Sequence, residues 1–233
     1  MTDDGLDEGG PNEGGPNEGG LDEGALRDGI VRTMRAMAER GLNRGTSGNV
    51  SARLGEGLLV TPSGVPADAL TPETIVQLDA AGAAAAGSLK PSSEWRMHAG
   101  LYARRPDVNA VVHCHSRHAT ILACAGRPIP PLHYMVGVSG RSSVAVAPYA
   151  TFGTEALAQG VAATLDGGWA CLMANHGQIA VGPSLERALA VAEEIEEQAA
   201  VYWGALAIGG PRLLDDAQMA EVAGMFRSYG QGR

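Results

Sequence analysis

In residues 107–126, "DVNAVVHCHSRHATILACAG", an apolar run ends in His113 and His115 and passes at once into a helical pattern. Residues 107–115 read as a strand: a short valine-rich run that follows the helix-stopping Pro106. Residues 116–126 read as a helix with Ser116 in the favoured N-cap position. In a strand, residues i and i+2 share a face about 6.6 Å apart along the chain, so the two imidazoles point together while Cys114 points away.

The alternation continues in both directions. Upstream, "ALRDGIVRTMRAMAER" (25–40) carries apolar residues at three- and four-residue spacing and stops at Gly41, so a first helix is predicted there. "GNVSAR" and "GLLVTPSG" form a predicted hairpin around a Gly-Glu-Gly turn, and residues 75–78 a further strand. "SSEWRMHAGLYARR" is a predicted helix starting at Ser92 or Ser93. Downstream come a short strand "SVAVAP", a helix "TEALAQGVAATL", and "WACLMANHGQIAVG", whose apolar runs flank residues 175–177. The longest helix follows Pro183 and ends at Gly209-Gly210-Pro211, and a last one covers roughly 215–228. Interleaved helices and strands predict an α/β layered domain, a sheet covered by helices; periodicity does not give the strand order.

Residues 1–24 hold eight acids, no base, no aromatic and an imperfect PNEGG repeat, so they bury too little apolar surface to offset ordering entropy. They are expected to be a disordered acidic Gly-rich tail, with one domain over 25–233. The tail carries −8 of the net charge of −9, which leaves a nearly neutral domain. Nucleic acid and anionic membrane surfaces need a basic footprint, so small molecules are the expected partners. No run approaches the ~20 apolar residues of a membrane span, and the N-terminus lacks a signal-peptide pattern, so a soluble cytoplasmic protein is expected. Cys114, Cys124 and Cys171 lie in apolar segments without CxxC spacing and read as buried thiols.

His113 and His115 form a two-ligand clamp of the kind zinc uses, and His176 in "MANHGQ" is the candidate third ligand, with Gly177 permitting close backbone approach. The alternative is that these histidines are polar strand ends satisfied by backbone groups, and spacing alone leaves both open. His98, His118 and His133 read as surface or packed side chains. "TSGNVSAR" (46–53), "TPSG" (61–64) and "PSSE" (91–94) offer hydroxyls and open backbone N–H groups. They are either ordinary turns and an N-cap, or together a phosphate cradle. Glu94 sits where a carboxylate suits the start of a helix, or serves as a base beside a cation. The only lysine is Lys90, next to Pro91, so Schiff-base chemistry is not expected.

In this order, "SGNVSAR", "TPSG", "PSSE", "HCH" and "NHG" resemble the class II aldolase/adducin family, and most closely its fuculose-phosphate aldolase branch. The resemblance spans about residues 25–230. It implies a single α/β domain with a central, mainly antiparallel sheet flanked by helices, assembled as a homotetramer with active sites between subunits. It implies one Zn2+ per subunit held by His113, His115 and His176, with Glu94 as both a metal ligand and the base. It implies that Gly48, Asn49, Ser63, Gly64, Ser92 and Ser93 bind the substrate phosphate. Tyr134 resembles the tyrosine that reaches a neighbouring site as a proton donor, and Phe226 and Tyr229 match loosely a C-terminal closing segment. The implied reaction is reversible cleavage of a ketose 1-phosphate, such as L-fuculose 1-phosphate or a 5-deoxypentulose 1-phosphate, to dihydroxyacetone phosphate and an aldehyde. Zinc would act as a Lewis acid on the enediolate formed when Glu94 removes a carbon-bound proton.

Other branches fit less well. The 4-epimerases carry Asp where this chain has Glu94, and the dehydratase branch needs an acid soon after the HxH pair, whereas residues 116–140 contain none. A sugar-acid phosphate decarboxylase shares the same metal and phosphate groups. An adducin-like domain without catalysis, or a phosphosugar-binding module, is the non-enzymatic alternative; retention of the three histidines and Glu94 argues against the former.

Overall fold

The computed structural model describes residues 22–228. The tail expected over 1–24 falls almost wholly outside them, as does Tyr229. The elements are α1 (Glu23–Glu39), β1 (Asn49–Leu54), β2 (Gly57–Val60), β3 (Val76–Leu78), α2 (Trp95–Arg104), β4 (Ala110–Cys114) and α3 (Arg117–Cys124). Then follow β5 (Val146–Ala147), α4 (Glu155–Leu165), β6 (Ala170–Met173), β7 (Gly177–Gly182), α5 (Leu185–Ala207) and α6 (Asp216–Ser228). Short 3₁₀ segments occur as well, one of them at Tyr134–Ser139.

The strands form one seven-stranded sheet in the order β3-β2-β1-β4-β7-β6-β5. Every pairing is antiparallel except β5 with β6. Two-residue alternation divides the core between the two faces. Val50, Ala52, Leu59, Val112, Cys114, Leu172 and Ala180 pack with α1, α3 and α5. Leu58, Val60, Val111, Cys171, Met173, Ile179 and Val181 pack with α2 and α4. A sheet buried on both faces explains why β4, β6 and β7 read as continuous apolar runs rather than alternating ones.

Three local expectations need correction. The first helix starts at Glu23, not Ala25, because Asp22 caps it by accepting a hydrogen bond from the Gly24 N–H at 3.1 Å. The helix expected from Ser92 or Ser93 starts at Trp95 instead, because the Ser92 N–H is tied to the Thr61 carbonyl at 3.0 Å and holds that stretch to the hairpin. Cys124 is exposed in the last turn of α3, while Cys114 and Cys171 are buried, their thiols pushed up to about 12 by burial.

Candidate functional site

β1 and β4 are neighbours in register, with Asn49 opposite His113. His113 shares the sheet face of Val111, under α2, whereas Cys114 packs in the opposite layer, as the alternation requires. His115 follows directly beyond β4. His176 comes from the tight β6–β7 turn, closed by its N–H on the Met173 carbonyl at 3.1 Å, with Asn175 in the left-handed region at φ 55°. Gly177 is needed next: a Cβ there would stand 2.5 Å from the Cys114 carbonyl oxygen and 3.1 Å from the His115 ring. This close approach lets the turn bring His176 against the clamp.

The three imidazoles meet edge to edge, with ring centroids 4.8 to 4.9 Å apart. Nε2 of His113 lies 3.1 Å from Nε2 of His115. Nδ1 of His113 faces the Gln178 carbonyl at 2.8 Å; a carbonyl only accepts, so Nδ1 holds a proton and Nε2 is the nitrogen that faces the cluster. One ligand atom from each of His113, His115 and His176 falls within 4.8 Å of the others.

Glu94, at the start of α2, turns its carboxylate away from the helix end and into this cluster. Oε2 accepts a hydrogen bond from the Asn49 amide at 2.9 Å and lies 3.2 Å from His113 Nε2; Oε1 lies 3.2 Å from His176 Nε2. Oε1 is buried and lacks a hydrogen-bond partner among the described residues. Burial opposes its charge, but His113, His176 and the Asn49 amide more than compensate and hold the carboxyl well below the usual carboxylate range. Burial, with the neighbouring histidines, pushes His115 and His176 down to about 4. Three imidazoles and a carboxylate converging on one point are a donor set that fits a divalent cation.

A cavity of about 320 Å3 opens onto this cluster. Gly48, Asn49, Ser63, Gly64, Ser92 and Ser93 all line it, together with Glu94, His115 and His176. Three loops distant in sequence therefore converge. Ser63 N–H bonds the Lys90 carbonyl at 2.9 Å, which with the Ser92–Thr61 bond zips the second loop to the third. Gly48 and Gly64 take φ of 76° and 72°, a conformation that suits glycine. Asn49 lines the cavity while both ends of its side-chain amide are engaged, by Glu94 and by His98.

The remaining sequence candidates scatter. Tyr134 stands outside this cavity, 51% exposed, beside a larger hollow between its 3₁₀ segment and α6. Phe226 packs there too, against Gly137, so within one chain neither reaches the histidines. The hydroxyl of Ser116 does not cap α3; it accepts from the Gln178 amide at 2.8 Å, and the Glu196 carboxylate of α5 takes the free N–H groups of His118 and Ala119 instead. His118 Nδ1 also meets Glu196, at 2.8 Å, and His133 caps its own 3₁₀ turn, so neither is a ligand.

Sequence reasoning missed two groups. Tyr149 and Phe152 stand on the rim of the cavity, 65% and 64% exposed, in a Pro- and Gly-bounded loop that leans on Ser93 through Gly153. The signal for them was two aromatics in a chain that has few. His98, read as surface or packed, is fully buried directly behind Asn49.

The family model described as Class II Aldolase and Adducin N-terminal domain matches residues 28–203. A 5-methylthioribulose-1-phosphate/5-deoxyribulose-1-phosphate aldolase of Rhodospirillum rubrum is 48% identical over 196 residues, 84% of this chain and 88% of that protein. An L-fuculose phosphate aldolase of Escherichia coli is 46% identical over 201 residues, 86% of this chain and 93% of that one. A solved structure of an L-fuculose 1-phosphate aldolase superposes with a TM-score of 0.84 at 36% identity, covering 87% of this chain and 96% of that one. The five-motif match, the mixed seven-stranded sheet and the histidine cluster agree with these likenesses: the chain belongs to the class II aldolase and adducin family and is one of its enzymes, a lyase.

Proposed function

We propose that this protein is a zinc-dependent aldolase that reversibly cleaves a ketose 1-phosphate to dihydroxyacetone phosphate and an aldehyde. The observation that carries the reading is the placement of one buried, ionised carboxylate, Glu94, between the imidazole cluster and a cavity walled by the three small-residue loops. His113, His115 and His176, with Glu94 as a displaceable fourth ligand, would hold a divalent cation, which would supply a Lewis acid for the substrate's oxygens. Three neutral ligands leave that cation its full charge.

The chain's own residues do the rest. Backbone N–H groups and hydroxyls of the loops at 48–49, 63–64 and 92–93 hold the phosphate and so fix the three-carbon unit over Glu94. Glu94 Oε1, which has no hydrogen-bond partner among the described residues, takes the proton from the carbon that will bond to the aldehyde, and returns it in cleavage. Tyr134 projects from the surface, away from its own chain's cavity, a placement that suits a proton donor acting in the site of a neighbouring copy within a tetramer. Tyr149 and Phe152 offer an apolar rim for the aldehyde. The relatives' names divide between 6-deoxyhexulose and 5-deoxypentulose or methylthiopentulose phosphates, so a short aldehyde with an apolar end is the expected partner.

The test is release of dihydroxyacetone phosphate from L-fuculose 1-phosphate, 5-deoxyribulose 1-phosphate and methylthioribulose 1-phosphate, before and after chelation and after zinc is restored. Chelator-sensitive release from at least one supports the reading. No release from any by zinc-loaded protein contradicts it.

A further inference from the structure

Behind Glu94 runs a line of buried polar groups that the reaction does not itself require. Asn49 Nδ2 donates to Glu94 Oε2 at 2.9 Å, and Asn49 Oδ1 lies 2.5 Å from His98 Nε2. His98 Nδ1 lies 2.7 Å from the Ser51 hydroxyl, which lies 2.7 Å from that of Tyr102. All of these side chains belong to buried residues, Asn49 and Ser51 from β1 and His98 and Tyr102 from α2.

Only two directions of proton donation satisfy the whole line. In one, the Tyr102 hydroxyl donates to Ser51, Ser51 to His98 Nδ1, His98 Nε2–H to Asn49 Oδ1, and the Asn49 amide to Glu94. In the other every bond reverses, the Asn49 amide turns over, and its carbonyl oxygen faces the Glu94 carboxyl. The geometry chooses the first: Asn49 Nδ2 lies on Glu94 Oε2 and Asn49 Oδ1 on His98 Nε2, and an amide oxygen only accepts, so His98 Nε2 carries the proton. Burial holds His98 neutral, which a one-donor, one-acceptor link demands.

We propose that His98 is a positioning residue, which, as an Nε2–H donor, fixes the orientation of the Asn49 amide and thereby reserves Glu94 Oε1 as the oxygen that takes the substrate's proton. An asparagine amide has no preferred orientation of its own; here His98 supplies the donor that orients it. The kinetic side of the inference rests on the aldolase reading, and the tautomer side does not.

Two measurements test it. In 15N-labelled wild-type protein, imidazole NMR should show His98 protonated at Nε2 and bare at Nδ1; protonation at Nδ1 would overturn the proposal. In zinc-loaded protein, His98→Leu should keep its fold and zinc content yet slow proton exchange at dihydroxyacetone phosphate by about tenfold or more, in kcat and not KM. His98→Gln, which retains a neutral N–H donor, should recover most of the rate. A His98→Leu enzyme with wild-type kcat, or equal losses in the two variants, would overturn it. Absence of exchange in the wild type would instead overturn the aldolase reading and leave the tautomer to decide this one.

Discussion

Nε2 of His113 stands 3.1 Å from Nε2 of His115, while Nδ1 of His113 gives its proton to the Gln178 carbonyl. Two ring nitrogens this close to each other form a pair of donors that one cation can share. The purified protein is therefore expected to hold about one zinc per chain, by elemental analysis. Removing the metal should lower the melting temperature, since a ligand at 100 to 1,000 times its dissociation constant contributes roughly 3 to 4 kcal/mol. His176→Ala should weaken metal binding far more than it disturbs the fold, because the side chain lies in a turn rather than in the sheet.

Gly177→Ala probes the close approach that brings His176 to the clamp. The new methyl would press on the Cys114 carbonyl oxygen, a backbone atom in the central strand that yields little. Overpacking of this kind costs typically 1 to 3 kcal/mol, and here the strain falls on the metal-binding turn. Chemical denaturation and zinc affinity should both register the change; loss of one with no change in the other would show that the turn and the clamp are not coupled.

The pH dependence of stability should carry a contribution from His98. Its folded pKa is lowered to about 3 by burial, whereas an unfolded histidine titrates near 6.5. Between those values the unfolded chain binds a proton that the folded chain does not, so stability rises with pH across that window. The benefit is complete above about pH 6.5 and lost progressively toward pH 3, on the order of a few kcal/mol in all. Denaturation of wild type and His98→Gln at a series of pH values checks this: the variant should show the shallower acid slope.

Tyr134 supplies a test of the shared site. Glu94→Gln and Tyr134→Phe proteins should each have little activity alone. If Tyr134 serves a neighbour's cavity, mixed oligomers made by co-expression pair an intact Glu94 with an intact Tyr134 and recover part of the rate. If it serves its own chain, no mixture recovers anything.

Much of this architecture was legible in the sequence because its signals are local. The two-residue period of β4 placed His113 and His115 together and Cys114 away from them, and five short motifs in order named the wall of the cavity. What stayed hidden depends on contacts between distant segments. Ser92 looks like a cap, yet its backbone is claimed by Thr61, far upstream in the hairpin, so α2 begins later. Ser116 looks like a cap too, but Gln178 takes its hydroxyl and Glu196 from α5 does the capping. His98 reads as an ordinary helical histidine; only the pairing of β1 with β4 under α2 sets it behind Asn49 and Glu94.

The most direct test of the central claim, that Glu94 is the base beside a histidine-held metal, follows proton exchange into dihydroxyacetone phosphate in heavy water, which needs no aldehyde. The zinc-loaded wild type should exchange, the chelated protein should not, and Glu94→Gln, folded and still holding zinc, should be slower by about a hundredfold or more. Exchange at the wild-type rate in Glu94→Gln would remove Glu94 from that role, and exchange that ignores the chelator would contradict the metal's part in it.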